Sequence, residues 1–260
     1  MKKVGNLLRL ILYKSLSFKN YLLILSKLYF LYYNLGLLKN NKLYQYPYFL
    51  KNIINRGDVV IDIGANLGYY TVILSNLVKK EGKVYAVEPI KPILSVLKKN
   101  TKNKKNVKIL PYALGNENKE IILGNDTKAK TGFIASGSNY VIDKNTSDKD
   151  FAEIEFEAKM KQGSELFKDL KRLDFVKVDI EGYETVVIPE MEPVINKFKP
   201  IILAETRQEK RKELINFLGK RKYTPYTLEG NYLKITDENA FWDILFVPEE
   251  KKEKMTEYII

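Results

Sequence analysis

The sequence predicts a doubly wound α/β domain behind a helical leader, and three observations predict it. Short apolar runs recur near 59–63, 83–87, 107–110, 175–180 and 201–205. Helical periodicity fills most of the intervals between them. A glycine-bearing turn joins the first run directly to the first helix. Strand and helix in alternation make a parallel sheet covered on both faces. At 260 residues one core suffices, without a disulfide or metal staple.

The elements follow in order. Residues 1–47 are rich in Leu, Tyr and Lys, and the run from Tyr21 to Leu38 carries one charge, Lys27. Lys14, Lys19 and Lys27 interrupt it short of a membrane-spanning length. No small-residue cleavage site follows an apolar core, so it reads poorly as a signal peptide. It reads as helices packed on the main domain, or as a basic, aromatic-rich helix on an anionic membrane; the two are compatible. The body spans 48–248. Val59–Ile63 suits a strand buried on both faces. Tyr70, Ile73, Leu74 and Leu77 give the next helix, about 67–80, its apolar face, and Gly82 lies just past its end. Lys83–Val87 is a strand, Pro92 opens a helix with Ile93, Leu94 and Leu97 inward, and Val107–Leu110 is a third strand. Ile121–Leu123 reads as a strand and 124–150 as a long polar loop. Ile154–Phe156 reads as a short strand and Gly163–Leu170 as a short helix. Phe175–Ile180 and Ile201–Glu205 are buried strands, with helices after each. Three β segments, 223–228, 232–235 and 244–247, close the sheet. Residues 249–260 form a charged tail.

Composition excludes several chemistries. There is no cysteine and no histidine. Thiol nucleophiles, Cys/His zinc sites and histidine bases are absent, so Asp, Glu, Lys or Tyr must do any acid–base work. Ten basic residues and no acidic one precede Asp58, while the rest holds 34 basic against 32 acidic. The charge thus points to an anionic partner for the leader and to a near-neutral body, which lacks the basic face of a nucleic-acid binder. Six lysines between Lys98 and Lys108 read as a solvated helix end.

Two motifs carry chemistry. Asp62-Ile63-Gly64-Ala65-Asn66-Leu67-Gly68 joins a strand to a helix, and Glu88 ends the next strand, placed to accept both hydroxyls of an adenosine ribose. NAD enzymes share that layout. Asn66, however, replaces the second glycine of a dinucleotide fingerprint, and Asp62 repels phosphate. Both features suit a cationic, phosphate-free ligand such as S-adenosylmethionine. The second motif is Lys177-Val178-Asp179-Ile180-Glu181-Gly182-Tyr183-Glu184. Lys177 and Asp179 share one strand face, and a lysine in a buried strand needs such a partner. The glycines around Thr131–Gly137 suit an acceptor-side lid, with Phe133 free to stack on a ligand.

IDIGANLGYYT at 61–71, VEP at 87–89 and VKVDIEGYE at 176–184 together resemble the FkbM-type methyltransferases. The resemblance runs from about Tyr48 to Pro248. It implies a class I methyltransferase (Rossmann-like) fold: a seven-stranded, mostly parallel sheet whose last strand is antiparallel. It implies S-adenosylmethionine as cofactor and O-methyl transfer to a hydroxyl, often of a sugar, glycan or natural product. Carried over, Asp62, Gly64, Asn66 and Gly68 form the cofactor loop, Glu88 holds the ribose, and Ala113 and Leu114 lie near the adenine. Asp179 and Glu181 sit nearest the methyl group, either one a candidate base, with Lys177 stabilising charge. Nothing requires a metal. The expected acceptor is a small molecule, glycan or glycolipid, and nucleic acid is not expected. The leader then places the enzyme in the cytoplasm, peripheral at the inner face of an anionic membrane. A nicotinamide-dependent oxidoreductase and a non-catalytic, membrane-recruited scaffold are the rival readings.

Overall fold

The structure is a computed structural model that describes residues 2–142, 152–239 and 243–260. The leader comprises α1 (Lys2–Ser15), α2 (Phe18–Asn34) and the short α3 (Gln45–Phe49). Next come β1 (Val59–Ile63), α4 (Tyr69–Val78), β2 (Lys83–Val87), α5 (Lys91–Asn100) and β3 (Val107–Leu110). A second layer follows: β4 (Ala113–Gly115), β5 (Lys119–Asn125), α6 (Thr127–Thr131), β6 (Tyr140–Val141), β7 (Ile154–Gln162) and α7 (Gly163–Leu166). The chain then returns through β8 (Phe175–Val178), α8 (Glu184–Glu190), α9 (Glu192–Phe198), β9 (Ile201–Ala204) and α10 (Gln208–Gly219). It closes with β10 (Tyr223–Glu229), β11 (Tyr232–Ile235), β12 (Ile244–Pro248) and α11 (Glu249–Lys252).

The main sheet runs β11-β10-β12-β9-β8-β1-β2-β3. From β9 to β3 every pairing is parallel, and β12 inserts antiparallel between β9 and β10. This is the expected class I arrangement of seven strands, to which β11 adds an eighth as an edge hairpin. Alternation along the central strands makes two cores. Ile61, Ile63, Val176, Val178, Ile202 and Ala204 face α8 and α9. Val60, Phe175, Ile201 and Leu203 face α3 and α4. Asp62 and Lys177 fall on this second face by the same alternation, so two charges are fixed inside the sheet.

The second sheet, β4-β7-β5-β6, departs from the expected pattern. The short strand expected at 154–156 is nine residues long and pairs with all of β5. The helix expected at 163–170 ends at Leu166. Part of the expected loop is built around Asn125: its amide donates to Ala135 O and Asn139 Oδ1, and its oxygen accepts from Thr127. Residues 143–150 of that loop lie outside the described residues. Phe133 is buried against Tyr21 and Leu22, with Arg9 over its ring. It therefore cannot stack on an acceptor from this position. The segment expected as a charged tail folds back, burying Met255 and bridging Ile259 to Leu233.

The leader packs on the body. Ser17 caps α2, and Tyr21 and Leu22 are fully buried against Leu67, Ile93 and Val96. Asn100 at the end of α5 donates to Ser26 Oγ at 2.9 Å and to Leu67 O at 2.8 Å. One side chain thus ties α2 to the turn after β1.

Candidate active site

The carboxyl ends of β1, β2, β8 and β9 meet at one edge, where open α/β sheets keep their ligands. Gly64 makes the meeting possible. Its φ is +75°, and a Cβ there would stand 1.9 Å from Asp179 O. Gly68, at φ +91°, starts α4 in the left-handed region and lines neither of the two pockets at this edge.

Two pockets share this edge, and Gly64, Asn66 and Asp179 belong to both. The first has about 670 Å³ of open space including its mouth, within the roughly 300–1,000 Å³ usual for ligand sites. Glu88, Ala113, Leu114, Tyr112 and Glu181 line it. Glu88 is 5% exposed. Its Oε2 accepts from Asn66 N at 3.0 Å and its Oε1 from Ile90 N at 2.9 Å. Each oxygen retains a lone pair for a further donor. Burial pushes its carboxyl up to about 7, against the pull of those two N–H groups.

The second pocket lies on the α4 face. Lys177, Asp179, Glu205 and Asp243 line it together with Tyr29, Tyr44, Tyr69 and Tyr70. Lys177 Nζ donates to Asp179 Oδ2 at 2.9 Å and to Gly64 O at 3.3 Å, and sits 5.0 Å above the Tyr70 ring. Burial alone would lower its proton affinity, but Asp179 and Asp62 outweigh that and raise it. Lys177 is therefore a fixed cation. Glu205 is pushed up to about 9, first by burial, then by the charge of Asp179, with which it shares a hydrogen bond. Asp243 rises to about 7 through burial and then Asp179. Glu181 also rises to about 7, for the same two reasons. One lysine faces a surplus of carboxylates, so the site favours a cationic ligand.

Asp62 lies one layer behind. It is fully buried and lines neither pocket. Its Oδ2 accepts from Thr71 Oγ1 at 2.6 Å, and its Oδ1 stands 3.8 Å from Lys177 Nζ without a hydrogen bond. In this arrangement it orients Lys177 rather than touching a ligand. Behind Asp179, the turn is pinned by Glu184, whose Oε1 accepts from Ile180 N and Gly182 N.

The sequence-predicted residues thus divide. Gly64, Asn66, Glu88, Ala113, Leu114, Asp179 and Glu181 line the first pocket, and Lys177 lines the second. Glu205, Asp243, Tyr29 and Tyr44 were not anticipated. Glu205 follows a buried strand at the same edge as Asp179, so the end-of-strand rule could have found it. Asp243 required the direction of β12, and the two tyrosines required the packing of the leader. Among the described residues no group of acids is arranged to hold a metal ion.

The family described as Methyltransferase FkbM domain matches residues 62–225. Solved structures similar to this chain include a methyltransferase FkbM from Methylobacillus flagellatus KT. It is 14% identical, with 77% of this chain and 50% of that one covered, and a TM-score of 0.48. An rRNA methylase from Streptococcus thermophilus is 10% identical over 80% of this chain and 95% of that one, with a TM-score of 0.44. Aeropyrum pernix fibrillarin with bound S-adenosyl-L-methionine is 10% identical over 75% and 67%, with a TM-score of 0.43. No curated protein matches the sequence.

Proposed function

The chain belongs to the FkbM methyltransferase family, and from that premise we propose that it transfers a methyl group to a hydroxyl of a sugar, glycan or glycolipid. It is an S-adenosylmethionine-dependent methyltransferase, which sets aside the nicotinamide and scaffold readings. The residues present fit that cofactor. Glu88 keeps a lone pair on each oxygen for ribose hydroxyls. Gly64 leaves room where a side chain would collide with Asp179 O. The carboxylate surplus complements an ammonium and a sulfonium.

Bound there, the cofactor supplies an already activated methyl group. The protein's work is alignment and removal of one proton. The observation that carries the hydroxyl reading is the Asp179–Glu205 pair beside four tyrosines. Asp179 belongs to both pockets, so it stands where cofactor and acceptor sides meet, whereas Glu181 belongs to the first alone. Asp179 takes the hydroxyl proton; Glu205, whose own proton is retained up to about pH 9, hydrogen-bonds to Asp179, and Lys177 holds Asp179 in place. Tyrosine rings offer flat faces to a pyranose, and carboxylates accept from its hydroxyls. A position at the inner face of a membrane is the finer reading of place, and the acid-free leader supports it.

The test is label transfer from S-adenosylmethionine with a deuterated methyl group into cell-derived glycan and glycolipid fractions. A labelled methyl ether on a sugar is the expected product. Label found only in protein or nucleic acid would overturn the reading. Asp179→Asn should cut turnover by about 10²-fold or more, well beyond any loss of cofactor affinity.

A further inference from the structure

We propose that the leader is a docking surface for an anionic lipid bilayer, laid flat rather than inserted. The exposed large hydrophobic residues of this chain are concentrated in it. Among the described residues, eight of the eleven, Leu7, Leu8, Ile11, Leu31, Tyr32, Leu35, Leu37 and Leu43, lie before residue 44. Large exposed apolar side chains grouped in this way mark an interaction surface.

The helix faces settle which side is presented. On α1, Leu10 and Tyr13 pack toward Tyr21 and Leu22, as does Leu16 just past its end. Leu7, Leu8 and Ile11 point the other way, each at least half exposed. On α2, Tyr21, Leu22 and Ser26 face the body, while Leu31 and Tyr32 are exposed. One face of each helix is therefore used for folding and the other is left to solvent.

Charge names the occupant. Lys14, Lys19, Lys27, Lys39 and Lys42 accompany these side chains, and no acidic residue occurs before Asp58. Exposed apolar side chains on a segment whose charged residues are all cationic complement anionic headgroups over acyl chains. A second copy of this chain would present the same positive charge and repel. Spanning is excluded by length: α2 has 17 residues, about 25 Å at ~1.5 Å each, against ~30 Å of hydrocarbon. Among the described residues no helix is long and apolar enough to cross a membrane.

The surface also reaches the site. Leu43 is 59% exposed and lines the second pocket beside Tyr44. Docking through the leader would set that pocket's edge near the headgroups, where a lipid-linked acceptor presents its hydroxyls. This consequence for the acceptor rests on the methyl-transfer reading; the docking does not.

The experiment is flotation of the full chain with vesicles of phosphatidylcholine mixed with phosphatidylglycerol, and with phosphatidylcholine alone. Binding to the anionic vesicles only, reversed by high salt, is expected. Leu7→Glu with Ile11→Glu should lower partitioning at least about tenfold, and Leu35→Glu with Leu37→Glu should do so independently. All four positions are more than half exposed, and unchanged thermal unfolding would confirm that the variants fold. Lys98→Glu with Lys99→Glu, on the other lysine-rich segment, should retain binding. The proposal is overturned by absence of flotation, by equal binding to neutral vesicles, or by loss of binding in the Lys98/Lys99 variant alone. It is also overturned if the leucine variants only convert a dimer to a monomer. Label incorporation into a soluble glycan reads the methyl-transfer proposal separately, so either can fail without the other.

Discussion

Gly64 shows how much of the site hangs on one residue. An alanine there meets Asp179 O at 1.9 Å and must adopt φ +75°, so the ends of β1 and β8 have to part. Gly64→Ala should cost well over ~1 kcal/mol in stability and weaken S-adenosylmethionine binding at least about tenfold, read by calorimetric titration. Affinity within twofold of the parent would mean that the two strand ends need not touch. The sequence made the loop legible because its glycines, Asn66 and Glu88 act through backbone position, which spacing records. It placed Asp62 in the ligand's path, yet Asp62 is fully buried behind Lys177. Spacing gives the strand end but not the depth of a side chain. Asp243 was silent because its role comes from proximity to Asp179 across three strands, whereas Glu205 stands at a strand end that the sequence does mark.

At the scale of elements, β1, β8 and β9 were legible because a strand buried on both faces must be continuously apolar. The second sheet was less so. In β7 apolar and charged residues alternate as Ile154, Phe156, Ala158 and Met160 against Glu155, Glu157 and Lys159, yet Lys161 and Gln162 at its far end obscured its length. The segment at 124–142 is ordered by the side chain of Asn125, a hydrogen-bonding arrangement that composition does not distinguish from an open loop. The leader's helices were legible but their consequence was not. Through Ser26 and Asn100, α2 holds Leu67 O in the cofactor loop. Asn100→Ala removes both bonds and leaves that carbonyl without its donor, which should cost about 1–3 kcal/mol. Because the carbonyl belongs to the loop, cofactor affinity should fall along with the unfolding midpoint. A lower midpoint with unchanged affinity would confine Asn100 to a packing role.

The whole molecule separates its charge. Its net charge is +12, with the leader wholly cationic, while the site it covers gathers carboxylates around Lys177. Such a site loads the folded state with protons. Glu88, Glu181 and Asp243 each titrate near 7 in the fold, against roughly 4 for the same groups unfolded. A carboxyl whose folded value is raised favours the native state fully below its unfolded value and loses that advantage as pH rises through the folded one. The protein without cofactor should therefore lose stability between about pH 4 and 7 from these groups. Ligand cations reverse the balance, since they favour the ionised carboxylates. S-adenosylmethionine should bind more tightly as pH rises through about 7. S-adenosylhomocysteine, which lacks the sulfonium charge, should show a shallower rise. Thermal unfolding with and without each compound, at about pH 5.5 and about pH 8, reads both effects. Equal stabilisation by the two at both pH values would mean that the carboxylates do not sense the sulfonium. The acidic edge would then serve the acceptor rather than the methyl donor.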